Sequence, residues 1–137
     1  VNGVLFNKSK TELIKYPAGK ADSSYTIPSG VTAIDYDPFE KCTNLKSITI
    51  PSGITRIWGG VFSGCSNLFE ISLPDSINYI SRYAFDDTAY YKDESNWENG
   101  ALYIGNALVA AKYYGDDIIS RTESQASATM HLAIKTD

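Results

Sequence analysis

Two cysteines, one histidine and several carboxylate pairs are the residues of this 137-residue chain whose types suit covalent or metal chemistry. Cys42 and Cys65 with the distant His131 are too few for a structural zinc site, which needs four protein ligands. A Ser-His-Asp or Cys-His mechanism would have to use His131, and no Gly-x-Ser-x-Gly elbow flanks it. The acids come as neighbours, Asp35 with Asp37, Asp86 with Asp87, Asp93 with Glu94 and Asp116 with Asp117. A glycosidase needs two at a set separation across a cleft, whereas adjacent acids in loops are ordinarily solvated. Gly59-Gly60 opens no helix after a strand in the manner of a phosphate loop. The expectation is a chain without enzymatic activity, metal or cofactor.

The elements that would position any site are set by an internal repeat. Pro28 to Ile50 reads PSGVTAIDYDPFEKCTNLKSITI, Pro51 to Leu73 reads PSGITRIWGGVFSGCSNLFEISL, and Pro74 onward reads PDSINYISRYAFDDTAYYKD before the match fades. The prolines at 28, 51 and 74 give a period of 23 with no gap. Always apolar are Val31, Ile54 and Ile77, then Ile34, Ile57 and Ile80, then Phe39, Phe62 and Phe85. Leu45 with Leu68, Ile48 with Ile71 and Ile50 with Leu73 complete the inward columns. Ile48 and Ile50 alternate with Ser47 and Thr49, the period of a strand with one buried face. Val31 to Ile34 and its copies suggest a second short strand, with Pro-Ser-Gly as the turn. A period of 23 is too short for two helices and fits a strand, a turn and a compact return. Three copies at the strand spacing of about 4.8 Å make a stack on the order of 15 Å long, which needs caps. Cys42 and Cys65 then share one column, about a strand spacing apart. That exceeds the roughly 3.5–4.5 Å between Cβ atoms of a disulfide, so buried free thiols are expected.

The pattern I-P-S-G-[VI]-T-x-I, then A-F or its variants, then x-G-C-[ST]-N-L-x-x-I-x-[IL]-P resembles the BspA-like class of leucine-rich repeat. It is carried by Ile27 to Ile34, Phe39, Cys42 to Leu45, Ile48 to Gly53, Phe62, Cys65 to Leu68, Ile71 to Pro74 and Ala84-Phe85. The resemblance implies a mainly β fold, a right-handed leucine-rich repeat solenoid of short strands. It also implies a bacterial or protist cell-surface protein linked to adhesion, and not an enzyme. Pro38 and Val61 depart from the Ala usual before the column Phe, Asp35 and Trp58 from Gly, and Thr88 from Cys.

The flanks divide the chain into an N-terminal hairpin or cap (1–26), the repeat array (27–92, as 28–50, 51–73 and 74–92) and a C-terminal part (93–137). Asn2 to Tyr16 and Asn99 to Lys112 each read Asn-Gly, an apolar-aromatic strand, a polar turn and a second apolar strand, so a hairpin is expected in each. Such hairpins close a strand stack and blunt its edges, and the second one is expected to bridge to further repeats. In 115–137 the alternating Met130, Leu132 and Ile134 suggest a strand, with a disordered tail as the alternative. A first residue of Val1 rather than Met suggests a mature or excised segment.

In a repeat array the columns outside the core are free to differ, and those differences mark the candidate binding surface. Tyr36, Trp58, Tyr79 and Tyr83 place large amphipathic rings on one ridge, with the cations Arg56 and Arg82. Tyr, Trp and Arg are enriched at interface hot spots. The alternative is that the rings merely cover neighbouring copies. A second candidate is the outward face of the Leu-x-x-Ile-x-Ile strand, where Lys46, Ser47, Thr49, Phe69, Glu70 and Ser72 lie. The resemblance implies that this sheet face is the concave binding surface, and Phe69, opposite Lys46, is its largest ring. A net charge of -4 without a Lys/Arg run argues against nucleic acid, and no apolar run is long enough to span a bilayer. The expected partner is a protein or glycan, of host or extracellular matrix, met outside the cell or at its surface. A structural spacer and a carbohydrate-active enzyme fragment are the second and third readings.

Overall fold

The computed structural model describes residues 2–81 and 83–112. Arg82, His131 and the expected strand through Met130, Leu132 and Ile134 lie outside the described residues.

The chain is mainly β. Near the N-terminus β1 (Leu5–Phe6) and β2 (Glu12–Lys15) form an antiparallel hairpin. Next come β3 (Ser24–Thr26), β4 (Ala33–Ile34), β5 (Ser47–Thr49), β6 (Arg56–Ile57), β7 (Glu70–Ser72) and β8 (Tyr79–Ile80). A four-residue helix α1 (Ala89–Lys92) and a 3-10 turn (Glu94–Asn96) lead into β9 (Trp97–Glu98), β10 (Ala101–Ile104) and β11 (Ala107–Ala111).

The repeat fixes the pairing. Parallel β3, β5 and β7 join as Ser24, Ser47 and Glu70, then Tyr25, Ile48 and Ile71, then Thr26, Thr49 and Ser72, each step spanning one repeat period. The second strands pair in parallel as β6 with β8, Arg56 opposite Tyr79 and Ile57 opposite Ile80. Because one period separates the partners, identical column positions fall on top of one another. The rings of Phe39, Phe62 and Phe85 therefore stack, with centroids 5.5 and 5.3 Å apart and planes 19° and 17° from parallel. Tyr16, one period before Phe39, heads the same column at 5.4 Å. The inward aliphatic columns are buried with it, from Leu13, Ile34, Ile57 and Ile80 to Leu45 and Leu68.

Polar columns tie copy to copy. Asn44 Nδ2 donates to the Lys20 carbonyl (3.1 Å) and Asn67 Nδ2 to the Thr43 carbonyl (2.7 Å), which is what the Asn of each Cys-[Ser/Thr]-Asn-Leu does. The Cys65 thiol donates to the Phe39 carbonyl at 3.0 Å, and Cys42 and Cys65 are buried, free thiols. Where the third copy replaces Cys by Thr88, the hydroxyl donates to the Phe85 carbonyl (2.7 Å) and accepts from the Tyr91 N–H. That second bond caps α1, so the Cys-to-Thr change turns a column residue into a helix start.

The two flanks behave differently from one another. The N-terminal hairpin joins the repeat by parallel pairing of β2 with β4, Glu12 opposite Ala33 and Leu13 opposite Ile34. The C-terminal segment is a three-stranded antiparallel meander, β9 with β10 with β11, whose sheet includes no repeat strand. Its Leu102, Ile104, Val109 and Ala110 pack into the common core. The hairpin expected over Asn99 to Lys112 forms as β10 with β11. Asn99-Gly100 at its start have positive φ (54° and 81°) and also make the two-residue loop from β9 to β10. No helix among the described residues is long and apolar enough to cross a membrane.

Candidate binding surface

The second-strand sheet is not continuous. Strands β1, β2 and β4 form one sheet and β6 with β8 another, so the parallel ladder stops between β4 and β6. At the end of β4 the Tyr36 N–H turns to its neighbour's carboxylate, Asp35 Oδ1 at 2.8 Å. The column core residue at this break, Ile34, is 7% exposed, against 0% for Leu13, Ile57 and Ile80. An open cleft of about 420 Å³ occupies the break, lined by Glu12, Ile34, Asp35, Tyr36, Trp58 and Gly59.

Two rings of the aromatic ridge, Tyr36 and Trp58, line this cleft. Tyr36 is 81% exposed, Trp58 41% and Tyr83 53%, large values for such rings. Trp58 packs on Tyr79 with centroids 5.2 Å apart, and the Arg56 guanidinium lies 5.7 Å from the Trp58 centroid. Tyr83 belongs to the same neighbourhood, since a Cβ on Gly59 would stand 3.7 Å from the Tyr83 Cβ. The structure thus brings together Tyr36, Arg56, Trp58, Tyr79 and Tyr83, while Arg82 lies outside the described residues. Lys46, Phe69 and Glu70 sit on the other sheet, where the Phe69 and Glu70 N–H groups both donate to the Lys46 carbonyl at 3.1 Å. Phe69 is 55% exposed there, beside small hydroxyl side chains.

Glu12 is the lining residue that the repeat alignment does not reach. Its signal is short: Thr11-Glu12-Leu13 matches Thr32-Ala33-Ile34 and Thr55-Arg56-Ile57, at an offset of 21 rather than 23 from the first copy. Among the described residues, Glu12 and Asp35 have no ion-pair partner. Asp22, Glu40 and Glu94 pair with Lys20, Lys15 and Lys112, and two further acids hydrogen-bond to nearby groups. Asp87 Oδ2 accepts the Gly64 N–H at 2.9 Å, and Asp93 Oδ1 accepts from Ser95. Those Ser95 hydrogen bonds hold the Asp93 carboxyl below its usual range, while burial and the neighbouring Asp87 raise that of Asp86. The hydrogen-bonded Cys42 thiol and burial push the Cys65 thiol up, which suits packing and not nucleophilic attack. Among the described residues no group of three or more His, Cys, Asp or Glu is placed to hold a metal ion.

Comparison with known proteins agrees with this architecture. The family model described as "BspA type Leucine rich repeat region (6 copies)" matches residues 20–108. Among solved structures, the pneumococcal vaccine antigen PcpA is similar at 41% identity and a TM-score of 0.59, over 62% of this chain and 21% of that one. The T. pallidum leucine-rich repeat protein TpLRR is similar in fold, at 23% identity and a TM-score of 0.51, over 63% of this chain and 44% of that one. The chain therefore spans about a fifth of the first and less than half of the second. No curated protein matches the sequence significantly.

Proposed function

This chain belongs to the BspA-type leucine-rich repeat family, and on that premise we propose that it is a non-enzymatic binding module of a secreted or cell-surface protein, engaging a protein or glycan partner in adhesion. The observation that carries the reading is the group of exposed aromatic side chains, Tyr36, Trp58 and Tyr83, on one ridge beside an open cleft. Exposed Trp and Tyr beside Arg are the composition of interface hot spots, and a patch of them is worth more than scattered single rings. The stacked 23-residue register supports a right-handed solenoid that carries this ridge as a rigid surface. Placement outside the cell is supported by the family and by the likeness to a pneumococcal vaccine antigen.

A binding screen against matrix proteins, mucins and glycans tests this reading, run beside a Trp58→Ala, Tyr83→Ala, Phe69→Ala variant. The parent chain is expected to retain a ligand that the folded variant loses. Unchanged binding by the variant sinks the assignment of these surfaces.

A further inference from the structure

Resting on that binding reading, we infer that the cleft between β4 and β6 is a pocket for a basic side chain, lysine or arginine, presented by a protein partner. The ligand class follows from what lines the cleft. Two half-buried carboxylates, Glu12 and Asp35, come from different elements and have no ion-pair partner among the described residues. Two aromatic rings, Tyr36 and Trp58, line the same space, and Ile34 supplies an apolar wall. Carboxylates with ring faces around an aliphatic wall complement an alkylammonium or guanidinium group on its hydrocarbon stem.

A neutral sugar fits this lining less well. It would cover the aromatic faces but withdraw two carboxylate charges from water without neutralising them, a desolvation cost that a cation offsets. A free small amine fits less well than a protein segment. It would fill the cleft and leave Tyr83 and the outer face of Tyr36 uncovered, whereas a peptide crossing the cleft covers the ridge as well.

Arg56 gives the inference a sign. Its guanidinium already lies near the Trp58 ring that the cleft shares. A cationic ligand is repelled by Arg56 and competes with it for that ring, so removing Arg56 tightens binding. An acidic ligand, attracted by Arg56, predicts the reverse.

The test titrates the full chain, by fluorescence anisotropy, with a labelled peptide of alternating lysine and glycine. Its lysine-acetylated counterpart and maltohexaose, the latter by calorimetry, serve as uncharged probes. The basic peptide is expected to bind and to weaken as salt is raised. The Glu12→Gln, Asp35→Asn double variant should lose about tenfold in affinity, and Arg56→Gln should gain about threefold, as suits charge pairs that are partly solvent-exposed. Asn at position 35 keeps the acceptor for the Tyr36 N–H, and a thermal melt of each variant confirms folding. Absence of basic-peptide binding overturns the inference, as does affinity unchanged in the double variant or weakened in Arg56→Gln. Maltohexaose binding that needs Trp58 but neither carboxylate overturns it too, while leaving the aromatic ridge as a binding surface.

Discussion

Tyr16 heads the aromatic column, and its ring packs on Phe39 and edge-on against Tyr25, but its buried hydroxyl has no hydrogen-bond partner among the described residues. A buried polar group without a partner costs about 1–3 kcal/mol, so Tyr16→Phe should keep the ring contacts and raise stability by about 1 kcal/mol in urea unfolding. The same burial, with Asp22 nearby, pushes the Tyr16 phenol up from 10.0 to about 12. The folded chain therefore holds this proton after the unfolded chain has released it. The associated stability is complete below pH 10 and is lost as pH rises through the interval to about 12. Melts taken across that interval should show a shallower alkaline decline for Tyr16→Phe. Tyr25, Tyr90 and Tyr103 are shifted upward by burial as well and keep part of the decline. Gly64 is another residue with a sharp requirement. Its φ is +76°, and a Cβ there would stand 3.0 Å from the Lys41 Cα. Gly64→Ala should cost about 1–2 kcal/mol from the left-handed backbone alone, more with the clash. Lys41, one period earlier, already takes φ 58° with a side chain present. Lys41→Gly should therefore stay within about 1 kcal/mol of the parent in the same unfolding experiment, strain relief offsetting the freer unfolded chain.

At the scale of elements, short strands of two to five residues are stabilised by the columns beneath them more than by their own ladders. Phe62 has a stacked ring on each side, at 5.5 and 5.3 Å, and is 1% exposed. Phe62→Ala should cost about 3–5 kcal/mol, the range for buried aromatic truncations. A thermal melt unchanged by that substitution refutes the stacked-column account. These columns were legible in the chain because each copy repeats its apolar positions at one spacing, so Phe39, Phe62 and Phe85 could be aligned without any three-dimensional information. Less legible were the degenerate members. Tyr16 and Tyr25 stand one period before Phe39 and Ile48, and exchange one apolar type for another, so their place in the register shows only when β3 pairs with β5. Thr88 reads as a departure from the pattern, and its use as a helix cap depends on α1 forming behind it.

On the whole molecule, the repeat leaves strand edges that something must cover, and the N-terminal hairpin covers the one beside β4. A chain shortened to begin at Lys20 would lose β2 from β4, Leu13 from the core and Tyr16 from the ring column. It should melt at a lower temperature and self-associate, as light scattering after size exclusion would report. A monomer with an unshifted melt contradicts a capping role for the hairpin. The cleft depends on the same junction, because Glu12 arrives from the hairpin while Asp35, Tyr36 and Trp58 come from the repeats.

The amino-acid sequence by itself determined the repeat, its inward columns, the strands of the repeat copies and the family, since all of these follow from residue types recurring every 23 positions. Tertiary structure alone decided the cleft. The ladder breaks between β4 and β6 although their sequences align, and the hairpin joins β4 at an offset of 21 that the repeat period does not contain. The physical reason is that a column is specified by each copy's own pattern, whereas a gap between strands and the carboxylate that faces it are specified by how distant segments come to lie together.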